Sequence, residues 1–252
     1  MNKRLYCLTP QEYQRYFDSI ETVRRFEYQV KICVERIVSG MPQYIKVQEE
    51  TGVPWVFVAL LHEMEADCDF DRQILNGQKT NMRTTVSPKG HGPWKLWHES
   101  AKEGVERYSN VEDWTIGRMG FYLEAHNGFG YRNNGLLSPY LFRGSQRGEG
   151  LGLFASDGVY SPMLTSDQAG AYVILAEIVR QRIYSPNSEP VKTWPVMYQS
   201  YNSNVVSYQS FLNLAMELDP VLITDGISGV KTSTAHKKFT GQYLTGDPRG
   251  ER

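Results

Sequence analysis

A mainly α fold in two parts is predicted: a larger helical domain over residues 1–186 with a small β-hairpin, then a small helical domain over 191–252. Three observations predict it. Apolar residues recur at helical spacing along several long stretches. One stretch, Trp55–Leu61, is apolar on every side, so its helix must be enclosed. A polar segment with two prolines, Ser185-Pro186-Asn187-Ser188-Glu189-Pro190, interrupts the pattern and marks the boundary.

Taken in order, Gln11–Phe17 and Glu21–Val38 read as helices, the second with Val23, Phe26, Val30, Val34 and Ile37 on one side. Gly40 and Pro42 are expected to stop it, and Gln43–Thr51 to be a polar connection. Val53-Pro54 then suits a helix start, since proline at the first helical position gives up only an N–H with no intrahelical partner. The enclosed helix delivers His62, Glu63 and Glu65 to its C-terminal end before breaking at Asp67-Cys68-Asp69. Asn76-Gly77 supplies a turn, and Met82–Val86 has strand composition closed by Pro88 and Gly90. A hairpin or extended loop is expected there, beside the helix end. Trp97–Tyr108 and Trp114–Ala125 are the next helices, and Gly128 and Gly130 release the backbone after the second. Residues 132–164 read as loop, and Gln168–Tyr184 as a helix with Val173, Leu175, Ile178, Val179 and Ile183 inside. Beyond the boundary, Val205–Leu218 is amphipathic. A tight Asp225-Gly226 turn leads to a helix near Ser233–Phe239, with Thr232 as its expected N-cap.

Composition excludes several classes. A net charge of −1 gives no field to recruit nucleic acid or an acidic membrane. The apolar run Trp55–Leu61 is far shorter than the roughly 20 residues of a membrane span. Cys7, Cys33 and Cys68 are odd in number and scattered, so they form neither a disulfide framework nor a metal-ligand spacing. The opening MNKRLYCLTPQEYQRYF has no apolar core segment, so no secretory signal is expected and synthesis in a reducing cytoplasm is. No cofactor, no metal and a monomer are expected.

The end of the enclosed helix carries the chemistry. Burial raises a carboxyl pKa, and the negative end of the helix dipole raises it further. That combination keeps an acid protonated near neutral pH, as a general acid requires. The alternative for the same residues is a helix end emerging into water.

Two resemblances sharpen this. DGISGVKT, with Gln209 and Leu212 before it and Ala235 and Phe239 after, resembles the type 1 peptidoglycan-binding domain over roughly residues 200–245. HEMEADCDF resembles the segment that ends the catalytic helix of goose-type lysozymes and lytic transglycosylases. Ala66 stands where that segment has serine, and Asp69-Phe70 keep its end. The wider run from VPWVFVALL through NGQ and RTTV to EAHNGFGYR and SPYLF resembles a lysozyme-like family over about residues 45–180. These resemblances imply a lysozyme-like α domain and cleavage of the β-1,4 bond between N-acetylmuramic acid and N-acetylglucosamine in bacterial peptidoglycan.

Within that frame Glu65 falls on the general acid. Glu63 is its rival, but residues two apart on a helix point about 200° apart, so one of them faces the cleft. Glu63 is then expected to pair with an arginine. His62, three residues before Glu65, either orients it or packs as a core histidine. For the second catalytic group, Asp69, Asp71 and Asp157 stand beside Thr84 and Thr85, which could hold a water as threonine does in phage-type lysozymes. A lytic transglycosylase needs none of these, because the substrate's own hydroxyl attacks. Asn127, Tyr131, His126, Arg83 and Tyr140 are the candidate sugar contacts; His126 stands where the family has tyrosine. A phage endolysin or a virion-associated lysin, released by a holin or carried by the particle, fits an enzyme with its own wall anchor. Alternatives are a non-catalytic wall-binding or structural protein on the same scaffold, and a chitinase or chitosanase.

Overall fold

Helix α1 (Pro10–Asp18) lays Tyr13 and Phe17 into the core against helix α5 (Ile116–Asn127), where Gly117 and Gly120 leave room for the Pro10 backbone and the Tyr172 ring. The computed structural model describes residues 10–156, 159–185, 197–201, 205–206, 208–209, 212–213, 222–240 and 243–250. The chain divides into two compact units, Met1–Glu177 and Ile178–Arg252. That division falls inside helix α8 (Ala171–Arg180); the proline-bearing segment read as the boundary lies outside the described residues from 186 on. The described residues are mainly helical, with a single two-stranded sheet.

Helix α2 (Glu27–Thr51) does not stop at Gly40 and Pro42 as expected but runs through both. A mid-helix proline costs about 3 kcal/mol and a glycine about 1. Val38, Met41 and Tyr44, all fully buried around these positions, offset that at roughly 1.5–3 kcal/mol each. Gly40 is also required where it stands, because a Cβ there would lie 2.8 Å from the rings of Phe70 and Tyr44. The stop comes at Gly52, left-handed at φ 74°, whose N–H closes on Gln48 O. A short 3-10 turn, Arg24–Phe26, occupies what was read as the helix start.

Helix α3 (Trp55–Ala66) is enclosed as expected, with every residue from Trp55 to Met64 buried. Pro54 is its N-cap rather than its first residue; its carbonyl accepts from Phe57 and Val58, and the buried Gln48 side chain accepts from Trp55 N at 2.7 Å. Its far end turns through Asp67 (φ 50°) and Cys68 (φ 56°).

Of the hairpin or extended loop expected after α3, the structure has the loop: it is turn-rich and without strands, with an isolated antiparallel bridge between Arg72 and Lys79. Side-chain amides add to its few backbone pairs, such as Gln73 N to Gln78 O and Thr80 N to Asp71 O. Gln73 Oε1 accepts from Leu75 N and Asn76 N, Gln78 Oε1 from Thr85 N, and Asn76 Nδ2 donates to Val86 O. The two strands lie instead in the stretch read as loop: β1 (Leu153–Ser156) and β2 (Val159–Ser161) pair antiparallel with Phe154 opposite Tyr160. Helix α4 (Trp97–Val105) continues as a 3-10 turn, Glu106–Tyr108, and short helices α6 (Gly130–Asn133) and α7 (Pro139–Phe142) follow α5. Asp157 and Cys7 lie outside the described residues.

In the second unit, helix α9 (Val230–Thr240) begins before Thr232, so Thr232 is not its cap. The Thr232 hydroxyl instead belongs to a knot around Gln209. Gln209 Nε2 donates to Asp225 Oδ1, Ile227 O and Thr232 Oγ1 at 2.9–3.1 Å, and its Oε1 accepts from Gly226 N. Asp225 Oδ1 also accepts from Ile227 N, which with the left-handed Gly226 (φ 78°) builds the expected turn. Most of the amphipathic stretch 205–218, Phe211 included, lies outside the described residues, as do residues 1–9. Among the described residues no helix is long and apolar enough to cross a membrane.

Candidate active site

Glu65 sits in the last turn of α3, at the edge of a groove of about 930 Å3, a volume in the range of small-ligand sites. Four segments form the groove walls. Leu75, Asn76, Pro88 and His91 come from the loop, Glu103 and Gly104 from α4, Glu106 and Arg107 from the turn after it, and His126 and Asn127 from the end of α5. The loop comes this close through two glycines. At Gly104 a Cβ would lie 2.6 Å from Ile74, and at Gly77 (φ 70°) it would collide with the Glu65 carbonyl.

The Glu65 side chain keeps 19% of its surface. Tyr140 of α7 donates its hydroxyl to Oε1 at 2.9 Å, and His126 Nε2 lies 4.0 Å from the same oxygen. Burial pushes the carboxyl up to about 7, against the opposing pull of the Tyr140 hydrogen bond. Near neutral pH about half of these carboxyls are therefore still protonated, where an ordinary glutamate is ionised.

Glu63, two residues earlier, points elsewhere, with 1% of its side chain exposed. Arg36 Nε donates to its Oε2 at 3.0 Å and Nη2 to its Oε1, and the Cys68 thiol donates to Oε2 at 3.2 Å. This is the arginine-paired carboxylate the sequence suggested. His62 does not orient Glu65. Residues three apart on a helix still differ by about 60°, and that offset sends the fully buried imidazole toward Tyr44, Trp97 and Phe70. Burial lowers its pKa to about 4, so it is a neutral core histidine.

Several expected site residues are not brought to the groove. Thr84, 3% exposed, spends its hydroxyl within its own loop, donating to Pro88 O at 2.6 Å and accepting from His91 N. Thr85 accepts from Gln78 Nε2, and Arg83 donates to Gly90 O; neither lines the groove. The strands are the reason Tyr131 is missing too: its ring packs on Phe154 and Tyr160 and its hydroxyl accepts from Phe154 N. Asp69 accepts from Asp71 N and pairs with Arg72, and neither aspartate lines the groove. Tyr140 contacts the acid itself rather than an open sugar site. Asn127 and His126 do line the groove.

The α4 wall adds two carboxylates, Glu103 and Glu106, to the residues the sequence singles out. Glu103 is held by the loop, with His91 Nδ1 at 2.5 Å from Oε1 and Trp94 Nε1 donating to Oε2 at 2.7 Å. Glu106 is exposed, and among the described residues its carboxylate has no hydrogen bond or ion pair. Their i, i+3 spacing, which puts both on one helix face, was the available signal. Among the described residues no group of His, Cys, Asp and Glu is placed to hold a metal ion. No family model, no curated protein and no solved structure matches this chain.

Proposed function

We propose that the protein is a peptidoglycan hydrolase, cleaving the β-1,4 bond between N-acetylmuramic acid and N-acetylglucosamine with Glu65 as general acid. One observation carries this reading: a carboxyl raised to about 7 by burial, oriented by Tyr140, at the edge of a groove with room for sugar rings. Glu65 protonates the departing glycosidic oxygen as the bond breaks and positive charge builds on the sugar ring. Glu106, on the groove wall and without an ion pair among the described residues, is the carboxylate we assign to take the proton of an attacking water. Asn127 offers an amide for hydroxyl or N-acetyl groups. The lysozyme-like arrangement and a wall-binding second unit belong to the same reading, supported by the sequence resemblances of HEMEADCDF and DGISGVKT.

Zymography on purified sacculi with the wild type and Glu65→Gln tests it. Clearing by the wild type and none by the variant is expected, and equal clearing by both removes Glu65 from the mechanism. A second reading, lytic transglycosylation, draws on Asp69 and Asp71 lying off the groove and Glu103 being tied to His91 and Trp94. Masses of the released muropeptides separate the two, since hydrolysis leaves reducing ends and transglycosylation leaves 1,6-anhydro ends.

A further inference from the structure

His126 lies between a cation and the acid. Arg107 Nη2 donates to its Nδ1 at 2.7 Å, so that nitrogen carries the lone pair and the ring proton sits on Nε2. From Nε2 the proton points to the Ile74 carbonyl at 3.1 Å, with Glu65 Oε1 4.0 Å away. The side chain is 4% exposed, so both nitrogens are largely committed to these protein partners. We propose that Arg107 and His126 are a positioning pair for Glu65: the guanidinium holds the imidazole as its neutral Nε2–H tautomer, and that imidazole pins the Ile74 loop beside the acid without putting a cation next to its proton.

A histidine beside a general acid is ordinarily a hazard. Were this ring protonated, an imidazolium 4.0 Å from Oε1 would favour the carboxylate and strip the acid of its proton near neutral pH. The charged or titratable groups lining the groove around the ring are Glu65 on α3, Glu103 on α4, Glu106 and Arg107 in the following turn, and His91 in the loop. Arg107 is the one that bonds to it. Burial and then the Arg107 charge hold the imidazole at about 4, well below the ordinary histidine value.

The pair rests on Glu65 acting as the acid, so the test has one readout that needs no activity. In the 252-residue chain labelled with 15N at histidine, His126 is expected as the neutral Nε2–H tautomer from pH 5 to 8. In Arg107→Gln burial still opposes charging, but the repelling cation is gone and an ionised Glu65 4.0 Å away favours the imidazolium, so the ring should begin to titrate at the acidic end of that range. The alkaline limb of the pH–rate profile on sacculi should then move to lower pH by about one unit, roughly a tenfold loss of kcat on that limb, with KM changed far less. Arg107→Lys should restore the limb. In Arg107→Gln/His126→Gln it should return to the wild-type position whatever the absolute rate, because no imidazole remains to charge. Plain loss of a cation would shift the limb the opposite way, so an alkaline shift in Arg107→Gln overturns the proposal. So does a double variant still shifted to acid, or a wild-type His126 that titrates near its ordinary value. Normal tautomer results beside an active Glu65→Gln would instead remove Glu65 from the mechanism, and with it the positioning role of the pair, while leaving the His126 tautomer as described.

Discussion

At the scale of single residues the acid and the fold pull against each other. An unfolded glutamate ionises near 4.3, whereas Glu65 in the groove does so at about 7. Because the folded value is the higher one, the native state holds its full stability below the unfolded pKa. Stability is lost as pH climbs from there through about 7. The loss is on the order of 3 kcal/mol, a large share of the ~5–15 kcal/mol typical of a domain. Glu65→Gln keeps the shape and removes the titration. Urea unfolding should therefore find the variant more stable than wild type at pH 8 by about 1–3 kcal/mol, with the gap closing at pH 4. Equal stability at both pH values would mean the carboxyl is not dry. Tyr140→Phe probes the opposing influence. Its hydroxyl favours the carboxylate, and a hydrogen bond to a charged group is worth about 1.5 kcal/mol or more. Removing it should carry the alkaline limb of the activity profile upward by about one pH unit, opposite in sign to Arg107→Gln.

At the scale of elements, the loop after α3 decides whether the acid faces a groove or open water. Gly77 adopts φ 70° directly over the Glu65 carbonyl. An alanine there meets both a left-handed backbone, at about 1–2 kcal/mol, and a collision with that backbone oxygen. Gly77→Ala should thus lower stability by ~2 kcal/mol or more and lower activity beyond what stability explains, by displacing the loop wall; thermal melts and kcat on the same preparation check this. The enclosed helix was legible because an apolar run has one physical meaning, burial on every side. The choice between hairpin and loop after it was not, because RTTV carries strand composition while Gln73, Asn76 and Gln78 supply side-chain partners to the loop backbone. Helix α2 misled for a related reason. Gly40 and Pro42 are local breakers, and the burial that overrides them belongs to partners far along the chain such as Phe70. Glu65 itself was readable from its place at the end of α3, yet Tyr140 and Arg107 lie 75 and 42 positions further along the chain and meet the site only through folding.

At the scale of the whole molecule, the proposed function divides between two compact units, one with the groove and one with the Gln209 knot. Joining a weak wall binder to a glycosidase raises the local concentration of enzyme at an insoluble substrate, and such linkage is worth up to about 100-fold to 10,000-fold without any new contact at the acid. The knot is the vulnerable point of the second unit. Gln209 is 2% exposed and serves Asp225, Gly226, Ile227 and Thr232 at once. Replacing it by leucine leaves the buried Gly226 N–H without its acceptor, at about 1–3 kcal/mol, and frees the turn from Asp225 and Thr232. Gln209→Leu should therefore lose far more activity on sacculi than on a short soluble glycan, which is cleaved without an anchor. Co-sedimentation with sacculi should fall in parallel with the first loss. If the variant falls equally on both substrates, the second unit contributes to the groove's work rather than to anchoring; if it falls on neither, the turn is not part of wall recognition at all.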